Sequence, residues 1–398
     1  MKNLRDVSYR ARASRSIILP RSPRRLPRIS VTAMSLFCLP LRAARIAASA
    51  AIGVALNSAP ATAQTVQLRY DASVAPGPIT GRAFFFVART DRSEPRQQAS
   101  SSRNSEPFFG IDVEALRPGQ VATIDATTLG FPVASLKQLP AGEYFVQGMI
   151  LPYTQFTRAD GHMIWAHMDS WEGQRFNSAP GSLVSAVQKV RIDPATNPTI
   201  ALSLTTVLPP VATLADSPWV QRFKMTSKKV SAFWNHDMPI GAVVLLPKGY
   251  EQNTTKRYPV VYTVGHFSER APFGFTFEGC DTPETAQAKA ARLLRSAREP
   301  GCEFQQAWTT GKVPEFIAVF IQHPTPFYDD SYVLNSANNG PYGDAITQEL
   351  IPEIDRRYRT IPSSHARTLT GGSTGGWDVL ALQVHYPDVF GGAWSLYR

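Results

Sequence analysis

The sequence predicts a mostly parallel sheet with helices on both faces, preceded by an all-β, sandwich-like domain and an export leader. Three observations support this prediction: an arginine-rich start that ends in an apolar, alanine-rich run, a region of short alternating strands, and, from about Trp219, near-continuous apolar strands separated by helical stretches. At ~150 residues per domain, 398 residues allow two domains and a leader. We expect the leader at 1–63, the β domain at 64–212 and the α/β domain at 213–398.

The net charge of +10 belongs to the leader. Residues 1–63 hold 11 of the 41 Lys and Arg residues but one of the 31 Asp and Glu residues, so the rest of the chain is formally neutral. Beyond the leader we find no basic stripe interleaved with aromatic residues and no helix-turn-helix or zinc-finger spacing. A nucleic-acid partner is therefore not expected.

The leader has the pattern of a cleaved signal peptide. Arg42 and Arg45 precede an apolar run at 46–56, and Ala61-Thr62-Ala63 supplies small residues at the cleavage positions. Met34 is the expected translation start. Because the apolar run falls short of the ~20 residues that span a bilayer, no stable membrane anchor is predicted. We expect cleavage after Ala63 and a periplasmic or secreted protein.

Cleavage removes Cys38 and leaves Cys280 and Cys302 in an oxidising compartment. We expect these two cysteines to form a disulfide, the alternative being two buried free thiols. The alanine-rich run at 283–298 between them predicts a helix.

The β domain is predicted from short apolar or β-branched runs bounded by turn residues. Consecutive prolines at 209 and 210 end it, because they continue neither a ladder nor a helix. The predicted strands are 66–70, 82–88, 144–151, 187–192 and 199–204.

The α/β domain is predicted from apolar runs that read as strands buried on both faces, alternating with helical stretches. The predicted strands are 241–246, 258–264, 316–321, 366–370 and 390–396. Besides 283–298, the predicted helices are 342–358, which Pro352 is expected to kink, and 375–386.

The stretch Gly371-Gly372-Ser373-Thr374-Gly375 matches G-x-S-x-G between a predicted strand and a predicted helix. A strand-to-helix turn of this kind lifts a serine Oγ above the sheet, and glycines at 371 and 375 let the strand and helix approach closely. The pattern predicts Ser373 as a catalytic nucleophile. The Thr374 N–H, at the helix N-terminus, is the expected first donor to the oxyanion of a tetrahedral intermediate.

The second oxyanion donor is expected in the loop after strand 258–264, and Phe267 is the candidate. His266 in the same loop is interpreted as a residue that shapes the backbone turn, because this architecture supplies its base after the serine.

With these motifs, roughly the last 160 residues resemble the putative esterase family of α/β-hydrolases, which includes esterase D, enterochelin esterases, feruloyl esterases and mycolyltransferases. The resemblance rests on the strand 258–264, the blocks 343–352 and 358–359, the serine motif, and Tyr386-Pro387-Asp388-Val389-Phe390-Gly391-Gly392. It implies an α/β-hydrolase fold, hydrolysis of carboxylic esters without a cofactor, Ser373 as nucleophile, and triad partners in the order serine, acid, histidine. The chain departs from many members at Gly265-His266 and at Thr374.

The sequence ends at Arg398, soon after Ser373. Each further strand–helix–strand unit needs ~30 residues, so we expect a C-terminally truncated domain without the triad acid and histidine, and a nearly inactive chain. Asp378 and His385, on the helix after the serine, are expected to be surface and helix-end residues.

The segment 324–341, rich in Asn, Asp, Tyr and Gly, is expected either to line a substrate pocket or to be an ordinary long loop. Asp329 and Asp330 lack further ligands at set spacing, so no metal site is predicted. The expected substrate is a small-molecule or glycan-linked ester. Two alternative functions stay open: a non-catalytic secreted binding protein with a degenerate hydrolase domain, and an acyltransferase.

Overall fold

The computed structural model of the chain describes residues 64–173, 175–193, 199–280, 285 and 301–397. The predicted leader, with its cleavage site after Ala63, lies outside these residues, as does the predicted helix at 283–298 apart from Thr285. From residue 64 onward the described residues pack as one compact unit. The boundary near 212 stays a prediction.

Alternating apolar residues produce the strands of the first half. In β1 every second residue is buried, as expected for a strand with one face on the core. The strands are β1 (Val66–Tyr70), β2 (Ile79–Ala88), β3 (Phe108–Leu116), β4 (Ala122–Ile124), β5 (Gly130–Phe131), β6 (Gly142–Pro152), β7 (Thr154–Thr157), β8 (Met163–Ala166), β9 (Leu183–Ser185), β10 (Gln188–Ile192) and β11 (Ile200–Val207).

All of these strands except β7 and β8 belong to one hydrogen-bonded sheet, in the order β4-β1-β11-β9-β6-β2-β3-β5, with β10 also paired to β6. The sandwich-like prediction was right about the strand content, but hydrogen bonds join the strands into a single sheet. The long strand β6 is the reason: its first half pairs with β10, its second half with β9, and its other edge with β2.

Both faces of the central strands are buried. Phe85 and Ile150 point into one apolar cluster, whereas Phe84 and Met149 point into another on the opposite face. This explains why β2 reads as an apolar run after Ala83 rather than as a simple alternation.

The hairpin of β7 and β8 packs on the second half of the chain. Phe156 is fully buried and contacts Trp234 edge-on, with 5.2 Å between the ring centroids. Beside it, the Ala159 N–H donates to the Phe233 carbonyl at 2.7 Å. The β-rich half therefore shares an apolar core with the α/β half.

The second half contains a six-stranded sheet in the order β12-β13-β15-β14-β18-β19. The last four strands of this order are parallel, whereas β12 and β13 run antiparallel to their neighbours. Its strands are β12 (Val220–Thr226), β13 (Pro239–Leu245), β14 (Val260–Val264), β15 (Ile317–Gln322), β18 (Arg367–Gly372) and β19 (Gly392–Leu396). Two short strands, β16 (Asn335–Ser336) and β17 (Gly340–Pro341), pair separately with each other.

The helices are α1 (Pro95–Gln98), α2 (Lys228–Trp234), α3 (Gly301–Thr310), α4 (Tyr342–Ala345), α5 (Ile351–Arg357) and α6 (Thr374–His385). Short 3₁₀ turns lie at Leu136–Gln138, Phe176–Ser178, Pro272–Gly274 and Ser364–Ala366. A π turn at Ile346–Leu350 joins α4 to α5, just before Pro352. The expected irregularity at Pro352 thus takes the form of a π turn, which accommodates the missing proline donor. None of the described helices is both long and apolar enough to cross a bilayer.

The structure joins Cys280 to Cys302, with a Cα–Cα distance of 5.3 Å, as the sequence predicts. The two cysteines are 22 positions apart in the sequence, and the bridge closes the loop between them. In the chain-entropy model such a loop lowers the entropy of the unfolded chain enough to stabilise the fold by ~3 kcal/mol.

Replacing both cysteines with serine is therefore expected to lower the free energy of unfolding by ~3 kcal/mol. Urea unfolding of the oxidised protein, the Cys280→Ser/Cys302→Ser double variant and the reduced protein measures this. Equal midpoints for the oxidised protein and the double variant would show that the bridge does not stabilise the fold.

Candidate active site

Ser373 occupies the turn between β18 and α6. Its backbone has φ 58° and ψ −123°, a conformation that a residue with a side chain rarely adopts. The residue is exposed, and its N–H donates to the Leu396 carbonyl at 2.9 Å, which ties the turn to β19. A strained, exposed serine at the carboxyl end of a central parallel strand has the geometry of a nucleophile elbow.

Two glycines make this turn possible. A Cβ at Gly371 would lie 2.2 Å from the Gly375 carbonyl oxygen, and a Cβ at Gly375 would lie 2.1 Å from the Val264 carbonyl oxygen. Real Cβ atoms do not approach backbone oxygens this closely. The strand, the helix and the end of β14 therefore meet only because these two positions carry no side chain.

The two predicted oxyanion donors differ in their surroundings. Thr374 is the first residue of α6, where a backbone N–H has no partner within the helix. The Phe267 N–H instead donates to Asp330 Oδ2 at 3.2 Å. In this structure the Phe267 N–H is therefore occupied by a carboxylate. The Thr374 N–H lies at a helix N-terminus, a position that binds anions.

Asp330 ties the loop after β14 to the segment after β15. Asp330 is only 3% exposed. Its Oδ2 accepts from the Phe267 N–H and also lies 3.0 Å from His266 Nδ1. Burial raises the pKa of Asp330, against the opposing effects of His323 and His266. The histidine that the sequence interpreted as shaping the turn is thus fixed by a buried carboxylate 64 residues away.

The β-rich half supports the same loop. Trp171 contacts Phe267 edge-on at 5.2 Å between ring centroids, and a Cβ at Gly173 would lie 2.6 Å from the Phe267 ring. Sequence reasoning missed this contact, because the 167–173 segment carries no motif that points to the serine.

A second acidic group lies in that segment. His167, Asp169 and Glu172 are buried, and their ligating atoms lie within 4.8 Å of one another. The His167 ring stacks on Tyr328. Burial, followed by the charge of Glu172, raises the pKa of Asp169 to about 8. Asp169 is therefore expected to be largely protonated at neutral pH.

The prediction that Asp378 is a surface residue was wrong. Asp378 is fully buried, and neither carboxylate oxygen has a hydrogen-bond partner among the described residues. Burial raises its pKa to about 7, with Asp330 adding to the shift. The helix explains the position, because Asp378 follows Gly375 by three residues and so lies on the face that packs inward.

The other histidines considered in the sequence lie in varied surroundings. His385 is exposed near the end of α6, as expected. His365 Nδ1 contacts the Ser363 hydroxyl at 2.7 Å. His323 is fully buried, its Nδ1 contacts Ser331, and its Nε2 has no partner within the described part of the chain.

The 324–341 segment lines an open groove of about 500 Å³ next to the elbow helix. Trp377, in the first turn of α6, lines this groove and contacts Tyr332 at 5.9 Å between ring centroids. The groove's other lining residues are Phe327, Ser331, Leu334, Asn335, Ser336, Asn338 and Asn339. The segment thus lines a groove, while a role in substrate binding stays a prediction.

Residues 231–396 match the model of the family described as "Putative esterase". This segment is therefore similar to the esterase family, and the resemblance seen in the sequence is confirmed. No curated protein matches the chain.

Several solved structures are similar to part of this chain. A ferulic acid esterase shares 19% identity over 44% of this chain and 58% of its own, with a TM-score of 0.30. The ferulic acid esterase of the anaerobic fungus Anaeromyces mucronatus shares 18% identity over 46% of this chain and 60% of its own, with a TM-score of 0.25. An S-formylglutathione hydrolase from Agrobacterium tumefaciens shares 13% identity over 44% of this chain and 56% of its own, with a TM-score of 0.28. The chain thus covers less than two thirds of each of these proteins.

Proposed function

We propose that this protein is an exported serine esterase that cleaves carboxylic esters through an acyl-enzyme on Ser373. The observation that carries the proposal is the exposed Ser373, held at positive φ between β18 and α6. The esterase-family match over 231–396 supports the same chemistry.

In the proposed reaction Ser373 Oγ passes its proton to a general base, which the family resemblance implies follows the serine in sequence, and attacks the ester carbonyl carbon to form a tetrahedral oxyanion. The Thr374 N–H donates to this oxyanion, helped by the positive end of α6. Collapse breaks the bond to the alcohol oxygen, which takes up the proton lost by Oγ. Water then hydrolyses the acyl-enzyme to the carboxylic acid and free serine.

The Phe267 N–H is the second oxyanion donor in this proposal. Because that N–H now donates to Asp330, the loop must exchange the carboxylate for the oxyanion when an ester binds. The Phe267 N–H keeps a charge-assisted hydrogen bond in both states, because one anionic acceptor replaces another.

The groove beside Trp377 is the proposed substrate site. It is lined by aromatic rings and by the amide side chains of Asn335, Asn338 and Asn339. Rings and amides of this kind suit an ester of a small molecule or a glycan, since they combine apolar surface with hydrogen-bonding groups.

The test is hydrolysis of p-nitrophenyl acetate and butyrate with the protein in excess over the ester, which measures the first acyl transfer even if turnover is slow. Ser373→Ala is expected to reduce p-nitrophenol release to the rate without protein, a loss of at least about tenfold, because Oγ is the attacking atom. Ser102→Ala, on an exposed loop, is the matched control and should keep the native rate. Equal release by the native protein and the Ser373 variant would contradict the proposal.

Export is the second part of the proposal, supported by the signal-peptide pattern of the leader and by the Cys280–Cys302 bridge. Expression from Met34 in a Gram-negative host should give periplasmic protein that begins at Gln64. N-terminal sequencing and intact mass of that fraction check this. Protein that stays in the cytoplasm with its leader attached would contradict it.

A further inference from the structure

Two consecutive carboxylates in the segment after β15 lie beside a histidine from the loop after β14, more than 60 residues earlier in the sequence. One ligating atom each of His266, Asp329 and Asp330 lies within 4.8 Å of the other two. His266 Nδ1 is 3.6 Å from Asp329 Oδ1 and 3.0 Å from Asp330 Oδ2. Atoms that share one cation at 2.0 to 2.3 Å lie within about 4.6 Å of each other, so this spacing already approaches that of a coordination shell.

A buried carboxylate on the elbow helix lies within electrostatic range of the same cluster. Asp378 is fully buried, and both of its oxygens lack a hydrogen-bond partner among the residues described. The charges that act on it are those of Asp330, His266 and Asp329. A buried carboxylate with no donor is costly when ionised, and either protonation or a nearby bound cation compensates it.

His323 gives an independent indication. Its ring is fully buried and Nε2 has no partner in the described part of the chain, while the charges acting on the ring are again those of Asp330, Asp329 and His266. Two buried polar groups on different elements, one on α6 and one just after β15, thus lack partners around a single cluster.

We propose that His266, Asp329 and Asp330 bind a divalent cation of the Mn²⁺ class, near the buried carboxylate of Asp378. Carboxylates suit Mn²⁺, and a histidine nitrogen favours a transition metal over Ca²⁺ or Mg²⁺. The side chains of His266 and Asp329 are 53% and 39% exposed, so an ion and its water ligands can enter from solvent.

The cation would link two elements: the loop after β14 and the segment after β15. It would also compete with the Phe267 N–H for Asp330 Oδ2. Binding would therefore fix the position of the loop that carries the proposed second oxyanion donor. This inference does not depend on acyl transfer by Ser373, because its readout is metal binding.

The experiment is calorimetric titration of Mn²⁺ into the full chain after chelator treatment, with thermal unfolding recorded with and without Mn²⁺. Mn²⁺ is the probe because soft thiolates such as that of Cys38 prefer other metals. The ligand variants are His266→Gln, which removes a proposed ligand, and Asp378→Asn, which removes the buried charge near the site. Glu172→Gln is the matched control, because it removes a carboxylate from the other buried His–carboxylate cluster, formed by His167, Asp169 and Glu172.

We expect one Mn²⁺ per chain, a rise in Tm on binding, and at least tenfold weaker binding in both ligand variants, with the native affinity kept by Glu172→Gln. Asp378→Asn should fold at least as well as the native chain without metal, since it replaces an unpartnered buried carboxylate by a neutral group. Should it fold poorly, His266→Gln decides, because that side chain is 53% exposed. Native affinity in His266→Gln, no binding by the native chain, or a loss confined to Glu172→Gln would overturn the proposal.

Discussion

Replacing Gly375 with alanine is expected to lower the free energy of unfolding by about 3 kcal/mol or more, at the upper end of overpacking effects. The added Cβ would lie 2.1 Å from the Val264 carbonyl oxygen and 3.2 Å from the Gly265 Cα. Both atoms belong to backbone, which cannot rotate away as a side chain can. Relief requires α6 to move off the end of β14, and that movement separates the elbow from the oxyanion loop.

The matched control for Gly375→Ala is Gly392→Ala. Gly392 lies in β19, and a Cβ there would meet no atom within 4 Å. Urea unfolding of the two variants and the native protein compares a blocked glycine with an unblocked one. If both variants unfold at the same urea concentration, α6 and β14 do not approach each other as closely as they do in the structure.

The second large effect concerns pH. Because burial and Glu172 raise the pKa of Asp169 to about 8, the folded chain keeps a proton that the unfolded chain releases near its ordinary value of about 4. The folded state thus binds more protons than the unfolded state between these values. The free energy of unfolding should fall as the pH rises through this window, by up to about 1.4 kcal/mol per pH unit, and become independent of this group above pH 8.

Asp169→Asn should remove this dependence. Asparagine resembles the protonated carboxyl and can still accept the hydrogen bond that the Trp171 N–H now donates to Oδ1 at 2.7 Å. Between pH 5 and pH 8 the free energy of unfolding should therefore fall by up to about 4 kcal/mol less in the variant than in the native protein. Thermal and urea unfolding across this range measure it, with exposed Asp388→Asn as the control. A native-like slope in Asp169→Asn would mean that Asp169 is ionised in the folded protein.

Local patterns in the sequence were enough for the strands and for the elbow. The predicted strands 66–70 and 187–192 correspond to β1 and β10, and the predicted helix 375–386 corresponds to α6 within a residue. These elements carry their signal in neighbouring residues. By contrast β3 was missed, because its buried positions follow no regular alternation, so its pairing with β2 rather than its own pattern defines it.

The surroundings of the elbow were predictable only in part. Asp378 carried a local signal, since it shares the inward face of α6 with Gly375, Val379 and Leu382. The pairing of His266 with Asp330 carried none, because 64 residues separate them and only the parallel register of β14 and β15 brings their loops together. The same holds for Trp171 and Phe267, which meet through contact between the two halves of the chain.

The most direct test of the central claim is to label the protein with a fluorophosphonate and locate the adduct by peptide mass mapping. The label is applied in large excess and for a prolonged time, so that a weakly activated serine also reacts. One adduct is then predicted, on the peptide that contains Ser373, and none in Ser373→Ala. An unlabelled native protein, or an adduct on another residue that persists in Ser373→Ala, would contradict Ser373 as the nucleophile.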